Sequence, residues 1–215
     1  MIPLGDSQRP RRRPWATWTI AAGCAGAFAW QLSLGDRLPA EIARWAASPL
    51  EITTLARPWS LPHRLVAAMF LHGGWLHLAG NLAFLLVFGD DVEARLRARR
   101  FLLLYFASGL VATLAQTLVT PSSPLPLVGA SGAIAGVLGT FLVLFPKARL
   151  SGVLPLGCLL LPMRTRAFLF LPAWFLLQLA SALVEPLGQG AGIAWYAHLA
   201  GFTAGPIVYA VVRRR

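Results

Sequence analysis

The stretch "PLVGASGAIAGVLG", residues 126–139, is almost wholly apolar yet carries one hydroxyl, Ser131, set between small residues. Two readings of it lead to different proteins. In one, Ser131 bonds back to a carbonyl of its own helix and the glycines only let helices pack. In the other, Ser131 is a nucleophile and the glycines leave room for a carbonyl group. The rest of the chain has to choose.

Of the 215 residues, 57% are hydrophobic and 13% are charged, where a soluble domain carries about 25% charged residues. The chain therefore reads as an integral, multi-pass membrane protein embedded in a lipid bilayer. Its net charge of +11 raises nucleic acid or anionic lipid as partners. Placement argues against nucleic acid. Arg9, Arg11, Arg12 and Arg13 precede the first apolar stretch, and Arg95, Arg97, Arg99 and Arg100 follow the second. Lys147, Arg149, Arg164 and Arg166 follow the fourth, and Arg213–Arg215 close the chain. Short basic clusters beside apolar runs are a topology signal. Cys24 and Cys158 lie far apart and read as packing residues, with no metal or disulfide spacing.

A spanning helix needs about 20 mostly apolar residues. Six stretches qualify: Trp15–Ser33, Leu71–Gly89, Phe101–Thr120, Ala130–Pro146, Ala167–Leu183 and Gly192–Val212. The first is longer than a signal-peptide core of about 7–15 residues and is read as an anchor helix. Leu150–Met163 is apolar but broken by Pro155 and Pro162, and reads as an interfacial or surface hairpin on the inner side. The map is a basic cytoplasmic tail over 1–14, a six-helix membrane domain over 15–212, and a basic end over 213–215. Both termini are inside. Fifteen of the nineteen Lys and Arg residues are then inner; Arg37, Arg44, Arg57 and Arg64 sit in the first outer loop. That loop, with "RPWSLPHRLVAAMF", suits an amphipathic, interface-lying structure. The uncharged "PSSPLPLVGA" before Ser131 is suited to dipping into the bilayer where protein surrounds it.

Polar groups within spans are costly and face the protein interior. Those weighed are His72, His77, Asn81, Ser108, Ser131, Ser181 and His198. At about 1.5 Å per residue, His77 lies about 20 Å, Ser131 about 24 Å and His198 about 22 Å above the inner boundary. Three helices thus hold polar groups at one depth, while Ser108 falls about 11 Å up, in the other half. Gly132 and Gly136, and likewise Gly201 and Gly205, are four apart, which gives each helix a groove for close backbone approach. Facing grooves would bring Ser131 to His198.

A serine needs an adjacent base to attack, and His198 supplies one. No carboxylate lies at that depth, so the sequence offers a Ser–His dyad and not a triad. His77 and Asn81, at i and i+4, share a helix face and can aim donors at an oxyanion, as can the N–H groups where the Ser131 helix begins. Bland readings stand beside these: His77–Asn81 as a structural hydrogen-bonded pair, His72 as a solvated or structural residue near the outer interface, and Ser108 and Ser181 bonded to upstream carbonyls. There is no His-Glu-x-x-His, so no metal ligation and no cofactor is expected.

"HGGWLHLAGN" at 72–81, "GASG" at 129–132 and "AHLAGFTAG" at 197–205, on the second, fourth and sixth helices, resemble the rhomboid family of intramembrane serine proteases. The resemblance covers residues 60–212. It implies an all-α, six-transmembrane-helix bundle, in a bacterial cytoplasmic membrane, with a wet cavity opening outward. It also implies Ser131 as nucleophile, His198 as base, and His77 and Asn81 as oxyanion-hole side chains. His72, Gly129 and Gly132 would support them, and Glu93 would be a structural glutamate. Transmembrane protein substrates follow from the same resemblance; a catalytically inactive, client-binding relative is the alternative. The chain departs from the family at two points. His63-Arg64 stands where Trp-Arg is common, with Trp59 as a substitute, and Ala135 stands where some members stack an aromatic on the base, leaving Trp195 or Tyr196 to hold His198.

Overall fold

The computed structural model describes residues 1–8, 12–156, 159–184 and 194–213. Arg9, Arg11, Cys158, Arg214, Arg215 and the first residues of the Gly192–Val212 stretch lie outside the described residues. The chain is mostly helical. Its long helices are α1 (Trp15–Leu32), α5 (Trp75–Leu96), α6 (Ala98–Val119), α7 (Ser131–Leu144), α8 (Ala167–Val184) and α9 (Trp195–Val212), with short α2 (Leu38–Trp45), α3 (Pro49–Thr53) and α4 (Leu61–Ala68) between the first two. Among the described residues, α6 and α8 are each long and apolar enough to cross a membrane, and α7 is a shorter apolar helix.

Five expected segments coincide with helices to within three residues at either end; the second does not. Its helix, α5, starts at Trp75, after the Gly73–Gly74 pair, and runs past the apolar stretch to Leu96. The added turns hold because one face of "DDVEARL" is buried through Asp91, Val92, Glu93 and Leu96. Glu93 explains the extension. Its carboxylate accepts the Ala16 N–H at 2.9 Å, the Thr17 N–H at 2.7 Å and the Thr17 hydroxyl at 2.8 Å. It therefore caps the N-terminus of α1, where unpaired donors and the helix dipole favour an anion.

The all-α expectation needs correction. β2 (Arg149–Leu156) and β3 (Leu159–Arg166) pair antiparallel, and the basic tail adds β1 (Ile2–Asp6) to the edge of β2. The sheet order is β1-β2-β3. The hairpin was legible from its prolines and length; the third strand was not.

The first loop is built around a buried cation. Arg64 is 1% exposed and donates to the carbonyl of Ala43 at 2.8 Å, to the carbonyl of Ala46, and to Glu51 at 2.8 Å. Burial works to raise the Glu51 pKa, but hydrogen bonds from Arg57 and Arg64 outweigh it and bring the carboxyl down to about 2. Trp59 takes no part: it is 96% exposed, and the ring packed beside His63 is Trp45, at 6.1 Å. The segment before Ser131 hangs on this loop, with the Leu127 N–H donating to Ala47 at 3.1 Å and the Gly129 N–H donating to Ala68 at 2.9 Å. Below it, Phe88, Phe101, Leu104, Tyr105 and Phe141 close a fully buried core between α5, α6 and α7.

Candidate active site

Ser131 is the first residue of α7, preceded by Ala130, whose side chain makes no cap. The first-turn N–H groups of α7 thus lack intrahelical acceptors. Gly129 has φ +123°, a conformation side chains rarely adopt, and a Cβ there would come within 2.7 Å of the His77 ring. Glycine at this position lets the chain turn into α7 while His77 and Ser131 both lie against it.

The two glycine grooves do face one another. A Cβ on Gly201 would stand 2.1 Å from the Gly132 carbonyl oxygen, and one on Gly205 would stand 1.9 Å from that of Gly136. A Cβ on Gly132 would meet Ala112 of α6 at 2.6 Å, so this glycine also seats α7 on α6. With backbones that close, the upper ends of α7 and α9 bring Ser131 Oγ to 2.8 Å from His198 Nε2. That is an ordinary hydrogen bond between a hydroxyl and an imidazole.

On its other side, His198 Nδ1 lies 2.7 Å from Oε1 of Gln178, a buried residue of α8. The ring is flanked by Trp174, 6.1 Å away and tilted 36°, and by Trp195, 6.1 Å away and edge-on at 87°. Of the two residues expected to hold His198, Trp195 is beside it. Tyr196 is not so engaged, because its hydroxyl donates to the Ala182 carbonyl at 3.1 Å. Trp174 thus puts an aromatic ring beside His198 where Ala135 has none to offer.

His77 and Asn81 sit on one face of α5, and both line a cavity of about 900 Å³ together with Gly129, Ser131, Gln178 and His198. His77 Nδ1 accepts the Gly73 N–H at 3.3 Å. Asn81 is buried, and its Nδ2 has no hydrogen-bond partner, so a donor is left over at the cavity wall. His72 is not solvated: it is 1% exposed and precedes α5. Its Nδ1–H donates to Phe70 at 3.0 Å, and its backbone is clamped by the Gln31 amide through bonds of 2.9 Å and 3.0 Å. Its ring lies 5.1 Å from that of His77, edge to face, which braces His77 from behind. Ser108 lies away from this group against Gly136, and its buried hydroxyl does not reach an upstream carbonyl.

Sequence reading missed three amides and a ring: Gln31, Gln116, Gln178 and Trp174. Gln116 of α6 accepts the Ala197 N–H of α9 at 3.3 Å, one residue before His198. The signal was present, since each glutamine is isolated in an apolar run and Trp174 and Gln178 are four apart on one face of a helix.

The rhomboid domain family model matches residues 60–215. The chain is similar to rhomboid protease GluP of Bacillus subtilis, 43% identical over 79 residues, which is 37% of this chain and 15% of that protein. It is 39% identical over 79 residues to RHOMBOID-like protein 5 of Arabidopsis thaliana, covering 37% and 26%. To Rhomboid-like protein 11, chloroplastic, of the same plant it is 40% identical over 75 residues, covering 35% and 26%. The matched stretch is about a quarter or less of each relative's own length. With a domain match over most of its length, and with the motif residues gathered around one cavity, the chain belongs to the rhomboid family.

Proposed function

We propose that this chain is an intramembrane serine endopeptidase that hydrolyses peptide bonds in or next to transmembrane segments of membrane proteins. The contact that carries the reading is Ser131 Oγ to His198 Nε2 at 2.8 Å, opening on a cavity of about 900 Å³. His198 Nε2 takes the hydroxyl proton as Ser131 Oγ forms a bond to the scissile carbonyl carbon. The negative charge that develops on the carbonyl oxygen is met by Asn81 Nδ2, His77 and the Ser131 N–H. An unpartnered buried donor such as Asn81 Nδ2 costs stability in the free protein. That cost is understandable if the site is shaped for an oxygen that appears only during reaction. His198 then gives its proton to the leaving nitrogen, the C–N bond breaks, and water activated by His198 releases the acyl group from Ser131. A substrate helix has to unwind at the cut, because its carbonyls are otherwise bonded within the helix.

The same reading gives the bundle six spans, with residues 15–212 in the bilayer region, both termini on the cytoplasmic side and the cavity opening to the opposite face. The basic clusters beside the apolar runs support this orientation. Purified protein in detergent or bicelles should be labelled by a fluorophosphonate and should cut a reporter carrying one transmembrane helix. Ser131→Ala should abolish labelling and reduce cleavage by at least about 10⁴-fold. Cleavage that survives Ser131→Ala would rule the mechanism out.

A further inference from the structure

We infer that Gln178 is a positioning residue for the reaction, fixing the tautomer and rotation of His198 where other serine hydrolases use a carboxylate. The inference rests on the assignment of Ser131 and His198 as nucleophile and base.

The argument begins with α8. Leu176, Leu177, Leu183 and Val184 are exposed, and the buried side chains of this helix are Ala167, Leu171, Gln178 and Ala182. Gln178 is the polar one among them, at 6% exposure. A buried amide on an apolar helix is costly unless it is bonded, and its oxygen is bonded to His198 at 2.7 Å. An amide oxygen only accepts, so His198 Nδ1 must carry the hydrogen. In a neutral imidazole the other nitrogen then holds the lone pair, and that nitrogen, Nε2, is the one 2.8 Å from Ser131 Oγ. One contact therefore selects the tautomer that can take the serine proton. As the proton moves to Nε2, the Nδ1–H···O bond becomes charge-assisted and strengthens, so it favours the transition state over the resting state.

The choice of an amide over a carboxylate also has a reason. A carboxylate at this position would bury a charge, whereas the amide supplies the acceptor without that desolvation cost. Trp174, four residues earlier on the same helix, packs beside the same imidazole. Thus α8 sets both the plane of the ring, through Trp174, and its rotation, through Gln178.

The test compares Gln178→Met, which keeps the volume and removes the acceptor, with Gln178→Glu, which restores an acceptor. With the transmembrane reporter, Gln178→Met should lower kcat about 10- to 150-fold, the worth of one hydrogen bond to a group that becomes charged. KM should stay within about twofold, since the amide does not act by binding substrate. Gln178→Glu should recover most of the lost kcat. Independently of activity, ¹⁵N NMR of histidine-labelled protein should show His198 with Nδ1 protonated and Nε2 unprotonated in the wild type, and a mixture of tautomers in Gln178→Met. A wild-type spectrum with Nε2 protonated, an unchanged kcat in Gln178→Met, or a Gln178→Glu variant as slow as Gln178→Met would each overturn the inference. Cleavage that persists in Ser131→Ala would defeat the parent reading instead, while the tautomer measurement would still report on Gln178.

Discussion

The seam between α7 and α9 and the three-stranded sheet use the same device with different consequences. In both, glycine lets backbone touch backbone: a Cβ on Gly205 would lie 1.9 Å from the Gly136 carbonyl oxygen, and one on Gly152 would lie 2.2 Å from that of Ile2. The seam joins two helices through the middle of the molecule and holds both members of the Ser131–His198 pair. The sheet hangs at the rim, where β1 closes one edge and Leu159, Leu160 and Leu161 of β3 are exposed. A clash of one size should therefore propagate through the bundle in one case and stay local in the other.

The largest expected effect comes from breaking the seam. Gly205→Ala must push α9 from α7, because the obstacle is backbone and not the end of a flexible side chain. Overpacking of this kind costs about 1–3 kcal/mol. A displacement near 1 Å at a reacting pair costs about 10²-fold in rate. The variant should show a lowered thermal midpoint and cleavage down by roughly that factor. Wild-type cleavage in Gly205→Ala would mean that the glycine contact does not set the distance between serine and histidine.

The matched variant on the rim is Gly152→Ala. Its Cβ would collide with the Ile2 carbonyl, so β1 should detach from β2. Among the helices, β1 packs chiefly on α5, at its end beyond Gly89. The thermal midpoint should fall less than in Gly205→Ala, and cleavage should stay within about twofold. Hydrogen exchange of the β1 amides should rise to that of an open chain. An unfolded bundle would show instead that the sheet is part of the cooperative core.

The two regions also differ in how far the sequence exposes them. The seam was readable because its signal is periodic: pairs of glycines four apart, a serine and a histidine at equal depth, and apolar runs whose lengths match the helices. The β2–β3 hairpin was readable from prolines in a run too short to span. The β1 strand was not, since five residues of "IPLGD" find their partner about 150 residues away and no local pattern marks the pairing. Within the site the same division holds. Ser131, His198, His77 and Asn81 carry spacing and depth, whereas Gln178 and Gln31 each act on one residue across the bundle, Gln178 at 2.7 Å from His198 and Gln31 at 2.9 Å and 3.0 Å from the His72 backbone. The apolar stretch ends at Gly89, where charge begins with Asp90, but the helix runs on to Leu96 because Glu93 caps α1.

The smallest effect separates the regions by pH. The α7–α9 seam contains no carboxylate, so its close approach should not respond to alkali. The β1 strand packs on α5 beyond Gly89, where Asp6 of the strand meets Asp91 and where Asp90 and Glu93 lie nearby. Burial first, and then the neighbouring carboxyl groups, raise the pKa of Asp91, and burial raises that of Asp6. Asp90 is raised to about 6, again chiefly by burial. A carboxyl whose pKa is higher in the folded state is favoured in its neutral form. Its contribution is complete below the ordinary carboxylate range, near pH 4, and is lost as pH rises through the raised value. Protection of the β1 amides, corrected for intrinsic exchange, should fall from about pH 4 upward, by at most about tenfold per pH unit for each proton released. Protection in α7 and α9 should stay flat. Asp91→Asn keeps a neutral group against Asp6 at every pH, and it should flatten the β1 curve while leaving cleavage unchanged. A β1 curve that falls equally in Asp91→Asn would place the titrating group elsewhere and remove this distinction between rim and seam.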